Sequence, residues 1–284
     1  MTAAAPTSGA TIPARDASQG QGEPGKTVVP NRRFTQRVAI VTGAAQGIGR
    51  AIALRLAVEG ASVLLADIQD AAGAAAAQEI AAATGADVRA FAGDLGYEDA
   101  ANAMVAAAIG AFGRVDILVN NAGGGVILPF LQHSAETLEL TLRRNLWTAI
   151  WCCRAVLPHL LQQRRGRIVN VGAESVRNGL WYHAAYNAAK GGMHGMSSGL
   201  AREFAPHGIT VNTVAPSGVD TGGPREAENA RLYPDFFGKM IGLIPTGRLA
   251  SMEEVVATVA FLASDEASFI TGQVISVNGG SSMQ

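Results

Sequence analysis

Cysteine is nearly absent. The 284 residues hold two, Cys152 and Cys153, and they are adjacent. Neighbours in a helical stretch point apart, which excludes a disulfide framework and a thiolate metal cluster. Charge is sparse too, at 16% of residues, and balanced at 22 basic against 23 acidic. A basic footprint for nucleic acid is therefore excluded. The five histidines, His133, His159, His183, His194 and His207, show no metal-ligand spacing. They read as surface or loop residues, except that His183 lies three before Tyr186 and can edge a substrate pocket. No run of 18 apolar residues offers a membrane span. The N-terminus lacks the charged start and apolar core of a signal peptide. These absences predict a cytoplasmic chain with no metal, no membrane and no nucleic-acid partner.

What is plentiful is glycine, at 34 residues, and hydrophobic residues, at 48%. Without a G-X-Y period, the glycine marks tight turns and close backbone approaches. Residues 1–33 are rich in Ala, Pro, Gly, Ser and Thr and lack apolar periodicity. They read as a disordered N-terminal arm, because such a stretch buries too little to offset its ordering entropy. Residues 34–284 read as one dinucleotide-binding catalytic domain. Short apolar runs there alternate with helical patterns, as in βαβ units. The strand candidates are Val38–Val41, Ser62–Asp67, Asp87–Ala92, Asp116–Asn120, Arg167–Val171, Thr210–Ala215 and Val274–Val277. Seven such strands with intervening helices predict an α/β fold. It is a single Rossmann-like, doubly wound domain with a parallel seven-stranded sheet. Ser251 to Glu254 reads as a capping box that starts a late helix.

The first strand runs into TGAAQGIG at 42–49 and then a helix. Glycines permit the sharp turn, and the helix N-terminus offers free N–H groups to a pyrophosphate. The second strand ends at Asp67, 18 positions past Gly49. A carboxylate there accepts hydrogen bonds from both ribose hydroxyls and repels a 2′-phosphate. With Gln46 in place of a basic residue, NAD is the expected cofactor. Tyr186 and Lys190, four apart, share one helix face. A nearby ammonium stabilises a phenolate, which predicts a base working nearer neutrality. Trp147 and Trp151 share another helix face, and core or oligomer packing is expected of them.

Over roughly 37–280 the chain resembles the short-chain dehydrogenase/reductase family. The resemblance rests on five matches in order: TGAAQGIG at 42–49, Asp94-Leu95, NNAG at 120–123, YNAAK at 186–190 and APSGVDT at 215–221. It implies a dimer or tetramer with its sites at the C-terminal strand edge. It implies that Gly43, Gln46, Gly47, Ile48 and Gly49 line the pyrophosphate. Asp67 and Ile68 would meet the adenosine ribose end, Asp94 and Leu95 the adenine, and Asn121, Ala122 and Gly123 the ribose side. Pro216, Val219 and Thr221 would flank the nicotinamide. Tyr186 would be the acid/base. Lys190 would hold the nicotinamide ribose and tune Tyr186, and Asn145 would hold a water in a proton relay. One departure stands out: the family's serine, 13 residues before the tyrosine, is Ala173 here. Ser175 is the nearest hydroxyl and the candidate replacement.

Within the family, the wording at 41–50, 151–155, 171–181 and 261–272 resembles the aromatic cis-dihydrodiol dehydrogenases of the benzoate and p-cumate type. That implies an NAD-dependent oxidation of a cis-dihydrodiol to a catechol. Trp181, Phe236, Phe237 and His183 become candidate substrate contacts, as do Val126 and Ile127. Residues 221–247 become an apolar lid. Arg177 is the first candidate to clamp a substrate carboxylate, ahead of Arg225, Arg231 and Arg248. Two alternatives stay open: an NAD(P)H-dependent reductase of 3-oxoacyl thioesters, and a non-catalytic dinucleotide-binding protein.

Overall fold

The computed structural model describes residues 32–222, 231 and 234–283. The arm expected over 1–33 lies outside these, apart from its last two residues. Arg33 is part of the folded body, held to Glu59 by a 2.6 Å ion pair.

Seven strands form one sheet: β1 (Val38–Thr42), β2 (Ser62–Asp67), β3 (Val88–Ala92), β4 (Ile117–Asn120), β5 (Gly166–Val171), β6 (Ile209–Pro216) and β9 (Val274–Val277). Their order is β3-β2-β1-β4-β5-β6-β9, and every pairing is parallel. All seven strand candidates are found, with ends shifted by at most one residue. The central strands read as apolar runs because helices cover both faces. Alternation along each strand sends side chains to opposite layers. Ala39 and Val41 enter one cluster, with Ile52, Leu56 and Val259. Ile40 enters the other, with Met104, Val156 and Leu160.

The first layer holds α1 (Gly47–Val58), α2 (Asp70–Thr84) and α9 (Met252–Ala263). The second holds α3 (Glu98–Phe112), α5 (Thr148–Gln163) and α7 (Ala184–Phe204). The capping box of α9 is formed: Ser251 Oγ accepts from the Glu254 N–H, and Glu254 accepts from the Ser251 N–H. Three shorter helices, α4 (Ala135–Leu142), α6 (Ser175–Asn178) and α8 (Pro234–Gly242), lie in connections. A two-residue parallel pair, β7 (Val219–Asp220) with β8 (Ala250–Ser251), was not among the expected strands.

Strand order reverses between β1 and β4, so the crossovers leave β1 and β4 on opposite sides and a crevice opens at their C-terminal ends. Polar bonds lock this point. Thr42 Oγ1 accepts from the N–H groups of Asn121 and Ala122, both at 3.0 Å. Asn121 Nδ2 donates to the carbonyls of Thr42 and Gly43, also at 3.0 Å.

Candidate active site

The crevice has two contiguous lobes that share Ile48, Asn121 and the stretch from Gly123 to Gly125. The larger, about 520 Å³, opens over the turn between β1 and α1. Gly43 and Gly47 both have positive φ, +62° and +57°. A Cβ on Gly43 would meet Ala122 Cα at 2.7 Å, and one on Gly49 would collide with the Gly43 carbonyl. Only glycine allows this cradle, and its floor is the free N-terminus of α1, which suits a pyrophosphate. Gln46, Asp67 and Ile68 line this lobe, as do Asp94, Leu95, Ala122 and Thr221. Gly47 lies in the turn but not in the wall of either lobe. Asp67 is held at the strand end, accepting from Ala45 N at 2.9 Å and Gln69 N at 3.0 Å. These residues fit a dinucleotide.

The second lobe, about 490 Å³, lies over the ends of β5 and β6. Tyr186 and Lys190 line it, with Pro216, Val219, Ser175 and His183. Tyr186 and Lys190 sit one turn apart on α7, with Lys190 Nζ 5.9 Å from the Tyr186 ring centroid. Lys190 is buried and donates to the Val171 carbonyl at 2.8 Å. Burial pushes the Tyr186 phenol up to about 12 and the Lys190 ammonium down to about 8. The expected shift of Tyr186 towards neutrality is thus reversed in this structure. Desolvation by burial disfavours both charged forms here.

Asn145 is fully buried beneath the lobe in a π-helical turn, Arg143–Trp147. Such turns re-aim side chains, often at functional sites. Asn145 Nδ2 donates to the carbonyls of Thr141 and Gly124, at 2.8 and 3.2 Å. A Cβ on Gly123 would meet Asn145 Oδ1 at 2.6 Å and Lys190 Nζ at 3.3 Å, so the loop after β4 packs against both.

Three expectations need correction. Arg177 does not face the substrate lobe. Its guanidinium donates to Ser276 Oγ at 2.6 Å and to the Val274 carbonyl at 3.1 Å, which commits it to β9. The clamp role therefore falls, and Arg248 is also occupied, by Glu254 at 2.7 Å. Trp181 is half exposed and lines neither lobe; Leu180 does instead. His194 is not a surface residue. It is buried on the same face of α7 as Lys190 and accepts from Ala173 N at 3.4 Å. Burial holds it neutral, down at about 4.

Other placements are plainer. Ser175 Oγ donates to Asn187 Oδ1 at 2.6 Å, a partner the sequence did not suggest. Ile127 lines the substrate lobe, as do Met240, Leu243 and Ile244 from the α8 region. Val126 is half-buried in the same loop, outside either wall. The side chains of Phe236 and Phe237 lie outside the described residues, as do Arg225, Leu232 and Tyr233. Trp147 and Trp151 stack at 5.4 Å; Trp151 is half-buried against the second hydrophobic cluster, and Trp147 is exposed. Cys152 and Cys153 are buried and free, and burial raises both thiols. Among the described residues no His, Cys, Asp and Glu cluster of metal-binding geometry occurs, and no helix is long and apolar enough to cross a membrane.

A doubly wound parallel sheet with this glycine cradle and a Tyr–Lys pair at its strand tips defines a nicotinamide-dinucleotide oxidoreductase. Comparisons with known proteins agree. A family described as enoyl-(acyl carrier protein) reductase matches residues 43–282. The chain is similar to 2,3-dihydroxy-2,3-dihydro-p-cumate dehydrogenase of Pseudomonas putida. They are 52% identical over 247 residues, covering 87% of this chain and 95% of that one. It is 41% identical to 1,6-dihydroxycyclohexa-2,4-diene-1-carboxylate dehydrogenase of Acinetobacter baylyi, covering 88% of this chain and 97% of that one. Among solved structures it is similar to levodione reductase, with a TM-score of 0.82 at 31% identity, over 87% of this chain and 98% of that one. The chain belongs to the short-chain dehydrogenase/reductase family and is an enzyme.

Proposed function

We propose that this enzyme uses NAD to oxidise a cis-dihydrodiol of an aromatic ring, with a p-cumate-like diol as first choice, to the catechol. The observation that carries the reading is Tyr186 on the wall of a largely apolar lobe that opens directly onto the dinucleotide cleft. The 52% identity to a dehydrogenase named for the p-cumate diol supports the substrate. The Asp67 carboxylate in the ribose lobe supports NAD over NADP, since a 2′-phosphate would meet its charge.

A bound nicotinamide supplies a hydride acceptor at its C4 carbon. Tyr186, as phenolate, takes the proton of the substrate hydroxyl while the hydrogen on the same carbon leaves with its electron pair. The resulting ketone tautomerises to a catechol, and the gained aromaticity drives oxidation forward. Lys190 anchors the cofactor ribose, and its ammonium, when charged, counters the burial that disfavours the phenolate. Asn145 fixes the loop at Gly124 and, in the family's pattern, the relay water.

Among the described residues no arginine lines the substrate lobe. Unless an arginine outside the described residues pairs with it, a substrate carboxylate is expected at the mouth, in water, because burying it unpaired is expensive. Assembly as a homodimer or homotetramer belongs to the same reading, and the exposed Trp147, stacked on Trp151, supports it. The test is NAD reduction, followed by nicotinamide absorbance, with cis-dihydrodiols, 3-oxoacyl thioesters and simple alcohols. Fast turnover of the diol by the wild type, nearly abolished in Tyr186→Phe, is expected. Turnover confined to thioesters with NADPH overturns the reading.

A further inference from the structure

We propose that His183 accepts a hydrogen bond from the second, non-reacting hydroxyl of the diol and so selects cis-diols over simple alcohols. The assignment rests on the diol reading above and names the group that recognises the second oxygen.

His183 precedes Tyr186 by three residues at the start of α7, so both side chains meet on one side of the helix. Their rings pack edge to face, with centroids 5.8 Å apart and planes at 82°. Both line the same lobe. His183 Nδ1 lies 2.6 Å from the Trp181 carbonyl oxygen. A carbonyl can only accept, so Nδ1 carries the ring proton, and Nε2 is left with its lone pair. Among the described residues only Nδ1 of this ring is hydrogen-bonded.

Two other polar side chains of the wall already have partners. Ser175 is tied to Asn187, and Asn178 reaches Ser281. The lobe thus offers a phenolate that takes a proton and, beside it, a neutral acceptor that waits for a donor. A cis-diol presents two oxygens on one face of its ring and matches that pair. A trans-diol turns the second oxygen to the opposite face, and a mono-alcohol lacks it. A site built around an unfilled hydrogen bond rejects ligands that cannot complete it.

The experiment is steady-state kinetics of the full enzyme, His183→Phe and His183→Gln. The substrates are a cis-dihydrodiol and a cyclic allylic mono-alcohol of the same ring size. Phe keeps the ring packing and removes the acceptor; Gln restores an acceptor. His183→Phe is expected to lose roughly 10- to 100-fold in kcat/KM on the diol, mainly through KM. Little change is expected on the mono-alcohol, and His183→Gln should recover part of the loss. An unchanged KM for the diol in His183→Phe overturns the assignment, as does equal loss on both substrates. So does a wild type that oxidises the mono-alcohol as efficiently as the diol. A wild type with no activity on any cis-dihydrodiol overturns the substrate reading itself, and the assignment with it.

Discussion

Asn145 brackets Gly124 from both sides: its Oδ1 accepts from the Gly124 N–H at 3.1 Å, and its Nδ2 donates to the Gly124 carbonyl at 3.2 Å. One buried carboxamide thereby satisfies both backbone groups of a residue 21 positions away and fixes the loop between the two lobes. Asn145→Ala removes both bonds, each worth about 0.5–1.5 kcal/mol. It also lets the loop drift against Tyr186, and a displacement of that kind lowers kcat by about 10²-fold. Urea denaturation and turnover on the same preparation check both effects. Unaltered stability contradicts the bracket.

Ser175 bears on the missing family serine at Ala173. Its hydroxyl lines the substrate lobe and is oriented by Asn187. If it stabilises the reacting oxygen, Ser175→Ala lowers kcat by about 10²-fold, as for other such donors. Asn187→Ala, which frees the hydroxyl without removing it, has a smaller effect in the same direction. Adding Ala173→Ser to Ser175→Ala restores part of the rate. A Ser175→Ala enzyme with normal kcat assigns the residue to the loop alone.

Asp67 carries the proposed preference for NAD. Replacing it with Ser removes the charge that faces a 2′-phosphate, so the ratio of kcat/KM for NAD over NADP falls by about 10²-fold. The same variant loses some stability, since Ala45 N and Gln69 N lose an acceptor. A wild type that favours NADP contradicts the assignment.

Lys190 makes stability depend on pH. Its ammonium is lowered by burial from 10.5 to about 8, so between those values the unfolded chain binds more protons than the folded one. Unfolding free energy therefore rises with pH across that window, and the burial penalty is fully present below about pH 8. Lys190→Met lacks this term. The stability of the unliganded wild type relative to Lys190→Met should climb between about pH 8 and 10.5. A flat difference, measured by denaturant unfolding at several pH values, removes the effect.

The legible parts of this protein are those whose constraint is local. The turn after β1 needs positive φ at Gly43 and Gly47 and no Cβ at Gly49, and only glycine meets those demands. The Tyr186–Lys190 pair needs only a helical period, and α7 supplies it. His194 was legible by the same rule, being four residues past Lys190 on the buried face. Its burial has no further signal in the sequence, because a lone histidine carries no charge pattern or ligand spacing.

The sequence alone determined the order of strands and helices, the dinucleotide turn and the placing of Tyr186 and Lys190 on one helix face, because period, turn residues and motif spacing act between near neighbours. Only the tertiary structure decided where side chains with distant partners point. Arg177 turns to Ser276 and Val274, about a hundred residues away, and leaves the substrate lobe. Asn145 is aimed by a π-helical turn with no composition signal. His183 acquires a fixed tautomer from the backbone carbonyl of Trp181 and a neighbour in Tyr186. A guanidinium or imidazole is satisfied by whichever acceptor the packed chain brings within reach, and that choice is made by packing rather than by local pattern.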